Sequence, residues 1–146
     1  MPEPITVGVI ADQTGPLSIL GGAQANTATL VVDEINASGG VLGSRVELLI
    51  EDSASDDAPA AAAATKLVQD DHVDVVLGGI FSSTREAIKT PAVGVGETLY
   101  IYPEQYEGQE YPPHLFCTGA VQAQQAERLI PWTRREHSDR TFCLHP

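Results

Sequence analysis

Short runs of β-branched and aliphatic residues alternate along this chain with stretches of helical spacing. That alternation limits the possible folds more than any other feature. Ile5-Thr-Val-Gly-Val-Ile10 is the first run, Val46 to Glu51 the second, Val73-Asp-Val-Val-Leu77 the third and Leu99 to Tyr102 the fourth. His114 to Cys117 is a short fifth, and Arg140 to Leu144 begins a sixth. Asp12 to Gly22, rich in Gly, Pro and Ser, reads as a loop. Ala23 to Ser38 carries Ala23, Leu30, Val31 and Ile35 near helical spacing. Gly39-Gly40 ends that helix, because glycine accepts the left-handed cap geometry. Asp56 or Asp57 caps the next helix, with Pro59 in its first turn; Ala60 to Ala64 favours helix, and Leu67 and Val68 complete its apolar face. Thr84 to Glu97 begins as a helix that Pro91, Gly94 and Gly96 weaken. Ala120 to Glu136 is a helix with a kink or break at Pro131. The strands are apolar without strict alternation, as strands buried on both faces are. The expected fold is α/β: three layers, a mostly parallel sheet, and right-handed crossovers.

All four tyrosines, Tyr100, Tyr102, Tyr106 and Tyr111, lie at and just past the fourth strand, which Pro103 breaks. Tyrosine joins a flat apolar face to a hydroxyl, a combination suited to holding a small polar molecule. In an open α/β sheet, ligands bind at the carboxyl ends of the strands. The third strand runs into Gly78-Gly-Ile-Phe-Ser-Ser-Thr-Arg85 and then a helix. Ser82, Ser83 and Thr84 would stand at the helix start beside free N–H groups, which receive carboxylate or carbonyl oxygens. Plain capping by Ser83 or Thr84 is the simpler reading of any one hydroxyl. Three of them in the layer of the tyrosine segment point to a joint site. Glu104, Glu107 and Glu110 can be read as a catalytic carboxylate pair, or more simply as solvated loop charges; Glu104 directly follows the strand and can face a ligand.

A chain of 146 residues can bury one real core. Its net charge of −12 argues against nucleic acid, which needs clustered Lys and Arg. The first strand is followed by Gly8-Val-Ile-Ala-Asp-Gln-Thr-Gly15, neither a dinucleotide fingerprint nor a phosphate loop. No nucleophile elbow occurs, the acidic groups lack calcium-loop spacing, and Cys143-Leu-His145 is too short for a zinc motif. No catalysis, metal or cofactor is expected. Cys117 and Cys143 can pair or stay as thiols. No apolar run approaches the ~20 residues of a membrane span. Met1-Pro-Glu-Pro leads into the first strand without a basic signal region, so the protein is cytosolic if this start is native and extracytoplasmic if an export signal was removed.

The segment Asp33-Glu-Ile-Asn-Ala-Ser-Gly-Gly-Val-Leu-Gly-Ser-Arg-Val-Glu-Leu-Leu-Ile-Glu-Asp52 resembles the leucine-binding type of solute-binding protein, as does Ile5 to Pro16. Gly78 to Arg85 and Tyr102-Pro-Glu-Gln-Tyr-Glu-Gly-Gln-Glu110 look more specifically like its urea and short-chain amide branch. The resemblance implies a periplasmic-binding-protein-like first lobe over 1–119, a crossover helix and the start of a second lobe over 120–146, and truncation before the rest of that lobe. It implies that Ile80, Ser82, Ser83, Tyr102, Glu104 and Gln105 touch the ligand. Ser82 and nearby N–H groups would take a carbonyl oxygen, Tyr102 would stack on a planar amide, and Glu104 or Gln105 would accept from an NH₂ group. Ile80 stands where the amide sensor of that branch carries a tyrosine. The implied function is recognition of urea, a short amide or an amino-acid-like ligand, with an ABC permease as partner. The alternative is a cytosolic amide sensor acting through a regulatory partner; an α/β enzyme using the loop carboxylates is a third reading.

Overall fold

The computed structural model describes residues 2–137, so the sixth strand expected over 140–144 and any pairing of Cys143 lie outside the described residues. The strands are β1 (Ile5–Ala11), β2 (Val46–Asp52), β3 (Val75–Gly78), β4 (Leu99–Tyr102) and β5 (Leu115–Cys117). They form a five-stranded sheet in the order β2-β1-β3-β4-β5, and every pairing is parallel. The helices are α1 (Ser18–Ala37), α2 (Asp57–Thr65), α3 (Ser82–Lys89) and α4 (Gln122–Glu136).

Successive strand residues point to opposite faces. Val9 and Ala11 of β1 pack against Ala25 of α1. Ile10, between them, joins Val76, Tyr100, Tyr102 and Leu115 in the larger core under α2 and α3. The alanines of α2 let that helix sit close to the sheet: Ala60 and Ala64 are fully buried. Leu67 follows and lies over Gly8, where an added Cβ would stand 2.9 Å from the Leu67 Cδ1. On the α1 face an apolar groove of about 780 Å³ runs along the helix between Leu20, Val31, Val7 and Leu77.

The Asp56 cap forms as expected, its carboxylate accepting from the Ala58 N–H at 2.9 Å. Asp56→Ala leaves that donor without its partner, and a loss of about 1 kcal/mol in urea unfolding is the expected result.

Several expectations need correction. α1 begins at Ser18, not Ala23, and passes through Gly21 and Gly22. The reason is tertiary: a Cβ at Gly21 would lie 2.1 Å from the Asp12 carbonyl oxygen, so the glycine lets the helix cross β1's end closely. α3 likewise starts at Ser82 instead of Thr84. After Lys89 the chain widens into a π-helical turn, Thr90–Val95. Pro91 would clash with the preceding turn of an α-helix, and the wider turn relieves that clash. A second π-helical turn, Lys66–Asp70, follows α2. α4 is continuous through Pro131, so of the kink or break expected there the break does not occur.

Candidate functional site

The sheet changes direction at β1. The chain moves outward to β2 and then returns to β3 on β1's other side. A crevice therefore lies beyond the carboxyl ends of β1 and β3, where Asp12 and Gly79 stand. Gly78 and Gly79 have φ of 132° and 82°. The Gly79 N–H donates to the Ile10 carbonyl at 3.1 Å, and the Tyr100 hydroxyl donates to the Gly78 carbonyl at 3.1 Å. These contacts turn the chain sharply into α3. Asp12 is 1% exposed; its Oδ1 accepts from the Ser53 hydroxyl at 2.6 Å, and its Oδ2 has no hydrogen-bond partner among the described residues.

The amino end of α3 is open. Its cap position is Phe81, in extended conformation, and among the described residues no side-chain cap hydrogen bond forms there. Neither Ser83 nor Thr84 takes the capping role of the simpler reading. Thr84 is buried and donates to Asp57 Oδ1 of α2 at 3.3 Å. Arg85 N is bonded to the Phe81 carbonyl at 3.0 Å, one turn into the helix. The donors ahead of it have no helical carbonyl to bond. Ser82 is half-buried and Ser83 exposed at this end.

Tyr102 is fully buried, and its hydroxyl donates to the Ile80 carbonyl at 2.7 Å and the Gln105 carbonyl at 3.4 Å. One hydroxyl therefore draws together Ile80, Tyr102 and Gln105. The Arg85 guanidinium lies over the ring at 5.2 Å, so the ring is not open for the amide stacking expected of it. Burial pushes the phenol's pKa up, with the Ser82 hydroxyl opposing that shift. Tyr100 is also fully buried, whereas Tyr111 is 84% exposed. The four tyrosines thus do not line one space; the two-residue period of β4 sends Tyr100 and Tyr102 into the core together. Glu104 faces α1, where the Gln24 side-chain amide donates to it at 3.2 Å. Gly119 lies against the Glu104 backbone: an added Cβ would be 1.9 Å from the Glu104 carbonyl oxygen. Beside Gln105 a polar cavity of about 100 Å³ opens between Tyr106, Glu107, Gln122 and Gln125.

Glu107 and Glu110 are not free loop charges. Arg85, whose side chain is 5% exposed, meets Glu107 at 3.1 Å and Glu110 at 3.0 Å. It also donates to the Ser82 hydroxyl at 3.3 Å. Burial works against the Arg85 charge, but Glu107 and Glu110 more than offset it and hold its pKa above the usual value. The Ser82 hydroxyl, with help from Arg85, holds the Glu107 carboxyl below the usual range. Sequence reasoning missed Arg85, Gln24 and Asp12. Only Arg85 left a trace: it stands three residues after Ser82, on the same side of α3.

Cys117 is half-buried and pairs with no cysteine among the described residues. Among the described residues, no three His, Cys, Asp or Glu lie together as metal ligands would, and no helix is long and apolar enough to cross a membrane.

The family model described as "Periplasmic binding protein domain" matches residues 5–145. A Leu/Ile/Val-binding protein of Rhizobium johnstonii is 44% identical over 66 residues, 45% of this chain and 18% of that protein. The Leu/Ile/Val-binding protein of Escherichia coli is 33% identical over 84 residues, 58% of this chain and 23% of that protein. The solved branched-chain amino acid transporter substrate binding protein of Streptococcus pneumoniae, in complex with isoleucine, superposes with a TM-score of 0.80 at 27% identity, covering 92% of this chain and 39% of its own. The chain therefore spans less than half the length of each of these proteins. By its matched residues and its fold, the chain belongs to the leucine-binding type of periplasmic binding protein, a family of solute-binding proteins and not of enzymes.

Proposed function

We propose that these residues form the first lobe of a solute-binding protein serving an ABC-type importer outside the cytoplasm. Its solute presents a carbonyl or carboxylate oxygen to the amino end of α3 and an N–H-bearing group to Glu104. The observation that carries this reading is the uncapped start of α3 at the end of β3, beside the sheet's switch point. An amino acid carries both groups, and the relatives named above bind branched-chain amino acids. A second reading, urea or a short-chain amide, is favoured by the small polar cavity beside Gln105, whose glutamines and Tyr106 match an amide's donors and acceptors. Transport is preferred to a cytosolic sensing role because the isoleucine-bound structure this fold superposes on is named as a transporter substrate binding protein.

Residues 1–119 are read as the solute-binding lobe, and 120–146 as the crossover toward a second. Tight binding in such proteins requires closure of two lobes on the solute. Calorimetric titration of this chain with L-leucine, L-isoleucine, urea and acetamide is expected to give a Kd weaker than about 1 mM. The stronger member of the amino acid and amide pairs names the solute class. A micromolar Kd for any of them would contradict the half-site reading.

A further inference from the structure

Arginine is seldom buried unless its charge is matched on several sides. Arg85 is matched from two separate elements. Its own helix supplies Glu86 at 3.2 Å and the Ser82 hydroxyl at 3.3 Å. The loop after β4 supplies Glu107 at 3.1 Å, Glu110 at 3.0 Å and the Tyr106 ring at 6.0 Å. Tyr102, at the end of β4, lies under the same guanidinium at 5.2 Å. Lys89, one turn further along α3, adds a longer contact to Glu110 at 3.4 Å. The loop's other tethers are the Tyr102 hydroxyl on the Gln105 carbonyl at 3.4 Å, the Tyr106 N–H on the Ala120 carbonyl at 3.4 Å within a bridge to Val121, Gly119 packed against the Glu104 backbone, and Gln24 on the Glu104 carboxylate at 3.2 Å; none of them carries a paired charge.

We propose that Arg85 is the positioning residue of the site. It holds the loop that carries Glu104 and Gln105 in fixed register with the amino end of α3 that carries Ser82. The proposal rests on the reading of those residues as the solute site. Its geometry is specific to arginine. Nη2 meets Glu86, Glu107 and Glu110 while Nη1 meets the Ser82 hydroxyl, and the guanidinium carbon lies 5.2 and 6.0 Å from the Tyr102 and Tyr106 ring centroids; an ammonium has no second nitrogen to divide these contacts. Ser82 and Arg85 share one turn of α3, so the side chain that ties down the loop also touches the hydroxyl at the site.

The test uses the 146-residue chain and no solute, so its result is independent of whether the solute class is correct. All four tyrosines lie in β4 and the loop, so the tyrosine near-ultraviolet circular dichroism reports this region. A glutamate-specific protease cuts after Glu104, Glu107 and Glu110 in the loop and after Glu47 and Glu51 in β2, which serve as the internal reference. Arg85→Met is expected to raise cleavage in the loop at least about tenfold, while cleavage in β2 stays within about twofold. The tyrosine signal falls with it. Arg85→Lys restores part of the protection. Glu107→Gln with Glu110→Gln removes two of the loop's cleavage sites, so in that chain the loop is read by cleavage after Glu104 and by the tyrosine signal; both are expected to change as in Arg85→Met, which decides the matter if Arg85→Met does not fold. Glu86→Gln, which removes a partner on α3 itself, leaves the loop protected. Unchanged cleavage after Glu104 in both the Arg85→Met chain and the double glutamine chain would overturn the proposal. So would an equal rise at β2 and the loop, since Arg85 would then support the whole fold and not the loop.

Discussion

Gly78→Ala is expected to destabilise the chain by about 3 kcal/mol or more. Gly78 has φ of 132°, a region that L side chains rarely adopt. An alanine Cβ would also stand 2.0 Å from the Ile10 carbonyl oxygen. Ile10 is the residue that Gly78 pairs with across β1 and β3, so neither strand can move aside without breaking the sheet at its switch point. Either the Ile10–Gly78 pair opens, or the turn into α3 shifts and carries Ser82 with it. Urea unfolding measures the first outcome as a lowered midpoint at unchanged slope. Gly94→Ala is the contrast: a Cβ there meets nothing within 4 Å, and its effect should be far smaller. Comparable losses at the two positions would show that the close crossing at Gly78 is not what holds the turn.

Leu67→Ala is expected to cost about 2–5 kcal/mol, the usual range for truncating a fully buried leucine. Leu67 is 0% exposed and belongs to the core that holds Ile10, Val76 and Tyr100. Its Cδ1 occupies the space that the missing side chain of Gly8 leaves on the sheet. Little can collapse into the cavity, because the neighbouring α2 positions are already alanines with no atoms to extend. Leu67→Met keeps the volume and should cost less than about 1.5 kcal/mol. A loss below about 1 kcal/mol for Leu67→Ala would mean that the site relaxes freely and that α2 is less tightly seated than its burial indicates.

The strands and the α2 cap were legible because each rests on local chemistry. β-branched runs give the strands, and Asp56 two residues before Ala58 gives the cap. The start of α1 was not legible, because Gly21 acts through a contact with Asp12 and not through its own propensity. The same holds for the two π-helical turns, where tertiary packing and Pro91 decide the hydrogen-bond pattern. At the site, the strand ends carrying Ile80, Ser82 and Tyr102 could be placed from topology alone. The directions of their side chains could not. Tyr102 reads in sequence as a flat surface for a ligand, yet it is spent on the core and on two carbonyls. Glu107 and Glu110 read as solvated charges because their partner, Arg85, lies more than twenty residues away in sequence.

In the proposed site a solute's oxygen docks on the amino end of α3 with the loop after β4 beside it. Backbone amide NMR of this chain, titrated with L-leucine and in parallel with acetamide, tests it most directly. The predicted result is a saturable shift, in the millimolar range, of the Ser82, Ser83 and Thr84 amides together with those of Glu104 and Gln105, for one solute class and not the other. Saturable shifts that leave the start of α3 untouched, and gather instead along the α1 groove around Val31 and Leu77, would contradict it.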